Sequence, residues 1–294
     1  MKSSQFRYWL LAARPKTLPA SVMPVFVGTA LAFHTGTFRW IPALVCFLFA
    51  LIAQIVSNFL NDYFDFRNGN DRNDRLGPKR AVSMGWIKPE VMLKVSVRLI
   101  ALACFLGLIL IYYAGWEILW VGIGVCIGVF AYSAGPYPLA SNGLGDICVI
   151  LFYGIVPVGF TYYVQSLDWT TPVTLCGFSM GFIITNILVA NNYRDREQDR
   201  QTGKNTTIVL FGPEFGRWFY LFNGFIATGI CMFLFFDGMK YAAILPLLYL
   251  IPHVTVWKMM CRIDKGKELN KILGFSSVNT IIFGLLLIAS ILLS

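Results

Sequence analysis

The chain has 294 residues, of which 57% are hydrophobic, 16% aromatic and only 13% charged. Because an average soluble domain carries about 25% charged residues, this composition, with a mean hydropathy of +0.65, excludes a water-soluble globule and predicts an integral membrane protein. In such a protein the net charge of +9 is explained by basic cytoplasmic loops, so we expect no nucleic-acid partner.

The first seventeen residues are too polar for the apolar region of a cleavable signal peptide. Four basic residues surround their short apolar stretch: Lys2, Arg7, Arg14 and Lys16. This pattern predicts an interfacial segment over residues 1–17, lying in the membrane surface before the first span. No separate soluble domain follows, so we expect residues 1–294 to form a single transmembrane domain.

Apolar segments about as long as a crossing of ~30 Å of hydrocarbon requires recur nine times. They occupy residues 18–34, 40–61, 91–114, 117–134, 146–166, 172–193, 217–236, 240–260 and 274–293. The sequence therefore predicts an all-α integral membrane protein, a bundle of nine transmembrane helices.

The basic residues indicate the orientation of this bundle. With nine spans, the amino terminus and the loops after spans 2, 4, 6 and 8 share one side. All of the 24 Lys and Arg residues except Arg39 and Lys240 fall on that side, that is, 22 of 24. The positive-inside rule places that side in the cytoplasm. We therefore expect a multi-pass protein of the plasma (inner) membrane with a cytoplasmic amino terminus.

Two acidic stretches occupy equivalent positions, at the cytoplasmic ends of spans 2 and 6. Each contains an Asn followed four residues later by an Asp: Asn61 with Asp65, and Asn191 with Asp195. Residues four apart share one face of a helix, so each pair is expected to project together from a helix end. Asp199 extends the second row by one further turn.

Rows of carboxylates next to hydrocarbon are costly unless a cation compensates them. Asp71, six residues beyond Asp65, suits a chain that leaves the helix at Gly69 and folds back. Mg²⁺ takes one or two carboxylates while phosphate oxygens and waters complete its octahedron. The pattern predicts a site at the cytoplasmic rim that binds a diphosphate through bridging metals. Interleaved basic residues would take up the remaining charge: Arg72, Arg75, Lys79, Arg80, Arg194 and Lys204.

Other metal and nucleotide sites are disfavoured by residue spacing. An EF-hand loop counted from Asp65 needs a Glu at its twelfth position, which is Leu76. Residues 203–206 lack the upstream glycines of a phosphate-binding loop. The seven cysteines contain no CxxC pair, and His34 and His253 are far apart in the sequence. These features argue against a disulfide framework, a zinc site and a histidine-based catalytic triad.

In its two Asp-rich motifs the chain resembles the UbiA superfamily of intramembrane prenyltransferases, over nearly its whole length. Four segments resemble the 1,4-dihydroxy-2-naphthoate polyprenyltransferases within that superfamily: residues 13–20, 61–82, 132–146 and 191–206. The 4-hydroxybenzoate branch usually shows a Tyr followed by a Lys-Arg pair in the loop after span 4. Here the loop beginning at Tyr132 contains no Lys or Arg, which favours the naphthoate branch.

The resemblance implies roles for individual residues. The metal–diphosphate ligands would be Asn61, Asp65, Asp71, Asn191, Asp195 and Asp199, with the four carboxylates as catalytic groups. The diphosphate contacts would be Arg75, Arg80 and Lys204. Further substrate-binding candidates near the rim are Asp62, Lys79, Tyr132, Tyr137, Tyr193 and Arg194.

Two further sets of side chains have expected roles at the rim. Aromatic faces can stabilise an allylic cation, and those near the predicted rim are Tyr63, Phe64, Tyr132, Tyr137, Phe152, Tyr153 and Tyr193. Asp62 and Asp146 are candidates for orienting acceptor hydroxyl groups. For Asp146 a structural role is also reasonable, because a carboxylate is favoured at the amino-terminal end of a helix.

The resemblance implies a Mg²⁺-dependent reaction, with two Mg²⁺ ions at the diphosphate. A polyprenyl group would pass from an allylic diphosphate to 1,4-dihydroxy-2-naphthoate, with loss of CO₂ and diphosphate, giving demethylmenaquinol for menaquinone synthesis. The partners would be the prenyl diphosphate, the naphthoate and the lipid bilayer. The resemblance carries no prediction of prenyl length or oligomeric state.

Other acceptors and another class of protein stay open at this point. Within the same chemistry the acceptor could be dihydroxy-6-naphthoate, homogentisate or 4-hydroxybenzoate. A secondary transporter places ionisable residues and broken helices near the bilayer midplane, often in inverted repeats. Here the acids cluster at one membrane face, and spans 2 and 6 run in the same direction. Both features favour the enzyme.

Overall fold

The computed structural model describes residues 2–67, 76–133 and 137–294, and the regular elements in these ranges are helical. Ten helices follow in chain order: α1 Lys2–Ala13, α2 Pro19–His34, α3 Trp40–Arg67, α4 Pro89–Ala114, α5 Glu117–Ser133, α6 Gly145–Ser166, α7 Thr171–Gln201, α8 Thr207–Asp237, α9 Lys240–Ile263 and α10 Leu269–Leu293. Short 3-10 turns at Pro15–Thr17 and Leu139–Ser141 lie in the connections.

The nine predicted apolar segments lie on α2 to α10 over their described residues, but the helices differ in their capacity to span a membrane. Seven of them, α3, α4 and α6 to α10, are long and apolar enough. The pair α1–α2, bent by 57°, would count as an eighth span. Helix α5 is apolar but has only 17 residues. On length and composition the described residues thus contain seven or eight spans where the sequence predicted nine.

The predicted interfacial segment forms a helix that packs against the end of α3. Its Trp9 ring lies 5.2 Å from the ring of Phe59, measured between centroids. Asn58 on α3 donates hydrogen bonds to the carbonyl of Ala13, at 2.9 Å, and to the hydroxyl of Thr17, at 3.1 Å. These contacts fix the bend between α1 and α2, because the amide of Asn58 donates hydrogen bonds to two polar groups of the turn.

Helix α7 is the most buried span, and glycines allow α6 to approach it closely. A Cβ on Gly154 would overlap the carbonyl oxygen of Gly177 and the Cα of Gly181. Around this contact α6 widens to a π-helix over Ile150–Ile155. Pro157, which lacks an amide N–H, cannot complete the normal helical hydrogen bond at this point.

Polar side chains join α7, α8 and α9 in the interior. Asn223 donates to the Oδ1 of Asn186 at 3.1 Å. The hydroxyl of Tyr249 lies 3.2 Å from Nδ1 of His253, whose Nε2 lies 3.0 Å from the carbonyl oxygen of Leu221. Since unpaired polar groups are expensive in hydrocarbon, these contacts favour one packing arrangement of the three helices.

The described parts of the connections after α3, α5, α7 and α9 lie at one end of the bundle. The amide of Asn205 donates to the carbonyl of Ser141 at 2.8 Å, which joins the connections after α5 and α7. Arg196, near the end of α7, donates to the carbonyl of Asp264 in the α9–α10 connection at 2.9 Å. These contacts agree with the alternation of spans on which the orientation argument depends.

Candidate active site

The end of α3 carries the first acidic row, and a buried arginine covers it. Arg80, with 8% of its side chain exposed, forms an ion pair with Asp65 and donates to the backbone carbonyl of Asn61. The Asn61 side chain is exposed and Asp65 is partly buried. The sequence predicted all three residues for the site, and the structure brings them together although Arg80 follows Asp65 by fifteen residues.

Asp62 has a different environment from Asp65. Its residue is only 2% exposed, and its two carboxylate oxygens accept the backbone N–H groups of Ala81, at 2.9 Å, and Val82, at 3.3 Å. Asp62 therefore holds the segment that carries Arg80 against α3. Its expected contact with substrate stays a prediction.

The second row lies on the last turns of α7, where Arg194 binds two of its members. The Arg194 guanidinium makes a two-pronged contact with Asp195, through Nε at 2.7 Å and through Nη2. The same Nη2 donates to Oδ1 of Asn191 at 2.7 Å. Arg194 is buried, with 2% of its side chain exposed. A fork of this kind is a strong and directional contact that orients the carboxylate.

Asp199 lies one turn further along α7 and is paired with Lys204. The Lys204 ammonium lies 3.4 Å from the Asp199 carboxylate, and its backbone N–H donates to the Asp199 carbonyl at 2.9 Å. Gly203, with φ of +75°, turns the chain between them, a conformation that glycine adopts without strain. The turn brings Lys204 back to the row, as its predicted role requires.

Asn270, on the first turn of α10, is a site residue that the sequence analysis missed. Its Oδ1 accepts from Nη1 of Arg194 at 2.9 Å, and its Nδ2 donates to the carbonyl of Leu76 at 2.9 Å. It thus joins the second row to the segment that leads to Arg80. A single Asn far from both motifs carries no signal in the sequence that would have identified it.

Tyr193 lies in a neighbouring polar cluster, fully buried. Its hydroxyl donates to Asp264 at 2.8 Å and accepts from Arg217 at 2.9 Å, and the guanidinium of Arg196 lies 4.4 Å from its ring centre. The Tyr193 hydrogen bond, a second from Arg217 and the charges of both arginines hold the pKa of Asp264 below its usual range. The structure therefore gives Tyr193 contacts within the fold, and its predicted substrate contact stays untested.

The remaining predicted residues are distributed around this region. Asp71 and Arg75, with Arg72, lie outside the described residues. Lys79 and Tyr137 are exposed, and Tyr132 is partly buried at the end of α5. 

Asp146, at the start of α6, is buried and only half satisfied. Its Oδ2 accepts from the hydroxyl of Thr207 at 2.7 Å, whereas its buried Oδ1 has no hydrogen-bond partner among the described residues. A free acceptor of this kind, close to the connection that follows the second row, suits its predicted role toward a hydroxyl group.

The donor set has the chemistry of a Mg²⁺–diphosphate site without being a closed metal cage. Within the described ranges no three Asp, Glu, His or Cys side chains cluster as metal ligands. The first row instead offers one carboxylate and one amide oxygen, and the second row offers two carboxylates and one amide oxygen, each row next to basic side chains. Mg²⁺ commonly uses one or two protein carboxylates and completes its shell with waters and substrate phosphates, so the residues present fit that ion.

Fold and site together define a multi-pass helical membrane protein with two Asn-x-x-x-Asp helix ends joined at one end of the bundle. The sequence matches the UbiA prenyltransferase family over residues 21–292. The chain belongs to this family, which confirms the resemblance and the all-helical membrane fold.

Curated relatives support the family, and a solved structure supports the fold. The chain is 35% identical to 1,4-dihydroxy-2-naphthoate octaprenyltransferase of Haemophilus influenzae, over 75% of this chain and 74% of the relative. It is 36% identical to the Escherichia coli protein of the same name, over 74% and 72%. A UbiA homolog from Archaeoglobus fulgidus bound to DMAPP and Mg²⁺ superposes with a TM-score of 0.69 at 17% identity, covering 97% and 99% of the two chains.

Proposed function

We propose that this protein transfers a polyprenyl group from an allylic diphosphate to 1,4-dihydroxy-2-naphthoate, with loss of CO₂ and diphosphate, giving demethylmenaquinol. The observation that carries the proposal is the pairing of each Asn-x-x-x-Asp row with an arginine, at two helix ends joined by Asn270. The names of the bacterial relatives support the acceptor. The Mg²⁺ and DMAPP bound to the archaeal homolog support the cofactor and the donor class.

The two rows and their basic neighbours would hold the diphosphate head. Asn61, Asp65, Asn191, Asp195 and Asp199, together with Asp71, would hold two Mg²⁺ ions. When bound, Mg²⁺ neutralises the charge that builds on the diphosphate as the allylic carbon–oxygen bond breaks.

Arginines of the fold orient this acidic site. Arg194 uses one side of the Asp195 carboxylate, and each oxygen keeps a second lone pair for another ligand. Arg80 pairs with Asp65 through Nη1. Arg80, Lys204 and, from outside the described residues, Arg75 would contact phosphate oxygens directly.

The prenyl tail belongs among the spans, and the head at the cytoplasmic rim. We propose that the bent α1–α2 pair and α5 also cross the membrane, giving the nine spans that the sequence predicts. The amino terminus then lies in the cytoplasm of an inner-membrane protein, on the side of the basic connections. The whole chain, residues 1–294, acts as one transmembrane domain.

The acceptor chemistry requires orientation rather than a strong base. The electron-rich naphthoate ring attacks the allylic carbon through the carbon that bears its carboxylate. A carbon–carbon bond forms, the bond to the carboxylate carbon breaks, and its electron pair returns to the ring as CO₂ leaves. We propose that Asp146 accepts a hydrogen bond from an acceptor hydroxyl through its Oδ1, and the absence of a partner for this oxygen among the described residues supports that role. Asp62 is a weaker candidate, because both of its oxygens already accept backbone N–H groups.

The experiment is turnover by the detergent-purified protein with Mg²⁺, farnesyl or geranylgeranyl diphosphate and a panel of aromatic acids. The panel contains 1,4-dihydroxy-2-naphthoate, the 6-naphthoate isomer, homogentisate and 4-hydroxybenzoate, and mass spectrometry identifies the products. EDTA and the Asp65→Asn variant are controls. A prenylated naphthalenediol without the carboxyl group, formed only from the 2-naphthoate and only with metal, is the expected result. A product from another acid overturns the acceptor, and no product from folded protein overturns the enzyme in favour of a transporter.

A further inference from the structure

Asn270 makes contacts in three directions at the amino-terminal end of α10. Its Oδ1 accepts from Arg194, and its Nδ2 donates to the carbonyl oxygens of Leu76 and Lys267, each at 2.9 Å. Oxygen and nitrogen of the amide thus have separate partners. Because the partners differ in kind, a cation on one side and carbonyls on the other, they fix which way the amide faces.

The contact with Arg194 affects two predicted ligands at once. Nε and Nη2 of Arg194 hold Asp195, and Nη2 also holds Asn191. Nη1 points the other way, to Asn270. A guanidinium is planar and rigid, so the partner of Nη1 sets the angle at which the other nitrogens meet the second row.

The contact with Leu76 extends the connection to the first row. Leu76 stands four residues before Arg80, which is buried against Asp65 and the Asn61 carbonyl. Asn270 therefore ties α10 to the connection that carries Arg80, and to the end of α7 that carries Arg194.

We propose that Asn270 is a positioning residue that aligns the two rows for one Mg²⁺–diphosphate head group. It does not touch the reacting atoms; it acts through Arg194 and through the backbone at Leu76. The inference rests on the proposed function, in that it assumes a prenyl diphosphate bound between the rows.

Three variants and a matched control test this role. Asn270→Ala removes the side-chain contacts with Arg194, Leu76 and Lys267. Asn270→Asp keeps an acceptor for Arg194 but removes the donor to the two carbonyls. Asn279→Ala is the control. Asn279 is a buried Asn of the same helix, 3% exposed, and it lies nine residues after Asn270, away from the two rows. Asn270→Ala in an Arg194→Ala background completes a double-mutant cycle.

The first readout is independent of turnover. The unfolding temperature of each purified variant is followed as farnesyl diphosphate is titrated at fixed Mg²⁺ without an aromatic acceptor. We expect Asn270→Ala to raise the concentration for half-maximal stabilisation about 10-fold, as losses of groups that orient metal ligands do. Asn270→Asp should raise this concentration by less than Asn270→Ala does. Asn279→Ala should lower the unfolding temperature without ligand but leave the concentration for half-maximal stabilisation unchanged.

The second readout separates alignment from general destabilisation. In steady-state kinetics, Asn270→Ala should raise KM for the prenyl diphosphate more than it lowers kcat. In the Arg194→Ala background it should add little, because the two residues act as one unit. An unchanged titration midpoint in folded Asn270→Ala, or an equal shift in Asn279→Ala, overturns the positioning role. Wild-type protein that is not stabilised by Mg²⁺ with prenyl diphosphate overturns the proposed function itself.

Discussion

Arginine side chains give the two acidic rows their character at the scale of single residues. Arg80 and Arg194 are both buried, and each contacts an Asp and the Asn four residues before that Asp. Arg80 contacts the backbone carbonyl of its Asn, and Arg194 contacts the side-chain oxygen. Because a guanidinium is planar and keeps its charge under all ordinary conditions, each arginine presents a fixed positive charge that orients the carboxylate beside it. The spacing in the sequence predicted the two Asn–Asp pairs, but not which arginine forms an ion pair with which Asp.

Removing either paired carboxylate is expected to abolish turnover while the protein stays folded. Asp65→Asn and Asp195→Asn each take one charged oxygen donor from the site, and a loss of at least about 100-fold in kcat/KM is expected. The acceptor assay above and size-exclusion chromatography in detergent measure the two properties.

The matched control for this pair is Glu197→Gln. Glu197 belongs to the same acidic stretch, but its side chain is 65% exposed and lies 3.8 Å from Arg196, away from the row. Its activity should stay within about twofold of wild type, as for an exposed ion pair. Full activity in Asp65→Asn or Asp195→Asn would contradict the two-row site.

Replacement of Asp146 should weaken binding of the aromatic acceptor and leave binding of the prenyl diphosphate unchanged. In Asp146→Asn the side chain keeps its size, but one carboxyl oxygen is replaced by an amide nitrogen, which cannot accept a hydrogen bond from a naphthoate hydroxyl. We expect KM for the acceptor to rise up to about 10-fold, the loss typical of one hydrogen bond, with KM for the prenyl diphosphate unchanged. Equal rises in both constants would show that Asp146 serves the fold through Thr207 instead.

At the scale of elements, α7 shows how far a local pattern determines a site. The Asn191, Asp195 and Asp199 spacing predicts one helical face, and α7 does continue without interruption through Thr171–Gln201. By contrast, the π-helix in α6 was not predicted. It accompanies the close packing of glycines on α6 and α7, a contact between segments more than twenty residues apart.

The contact between α6 and α7 predicts a large effect of a single methyl group. Gly154→Ala would drive a Cβ into the backbone of Gly177 and Gly181, and overpacking of this kind costs about 1–3 kcal/mol. Gly229→Ala is the control, because a Cβ there meets nothing within 4 Å. Thermal unfolding in detergent should show Gly154→Ala destabilised and Gly229→Ala close to wild type; similar values for both would contradict the packing described.

The α9–α10 connection predicts a pH-dependent contribution to stability. Asp264 has a lowered pKa because Tyr193, Arg217 and Arg196 face its carboxylate. A lowered folded-state pKa stabilises the fold above the unfolded-state value of about 3.9, and this contribution is lost as the pH falls through the folded-state value. 

Comparison of wild type with Asp264→Asn measures that contribution. Because the carboxylate is 40% exposed, the variant should unfold only about 1–2 °C lower at pH 7, and the difference should shrink toward pH 3. Replacement of the exposed Asp237 by Asn should change neither the unfolding temperature at pH 7 nor its dependence on pH. A difference that grows as the pH falls would contradict the assignment.

At the scale of the whole molecule, the bundle separates charge from hydrocarbon. In the sequence, all Lys and Arg residues except Arg39 and Lys240 fall in the amino-terminal segment, in the connections that meet at one end of the bundle, or on the helix segments next to them. Both acidic rows lie on helix ends at that same end. In the function proposed above, a diphosphate would reach the site from the aqueous phase while its tail stays among the spans. A soluble enzyme would have to enclose that tail within its own core.

Labelling tests this orientation directly. In a background without the seven natural cysteines, Glu197→Cys should react with a membrane-impermeant maleimide only in inverted vesicles. Lys240→Cys, at the opposite end of the bundle, should react only from outside intact cells. The reverse pattern would place the site outside the cytoplasm.

The sequence by itself determined the membrane class, the helical segments, the two acidic rows and the family. These depend on composition and on short spacings, which act through hydrophobic burial and the 3.6-residue helical repeat. Only the tertiary structure decided that α1 and α2 form a bent pair, that Asp62 binds backbone amides, and that Asn270 joins the rows. Each of these depends on contacts between residues far apart in the chain, whose geometry is set by helix packing and leaves no periodic signal in the sequence.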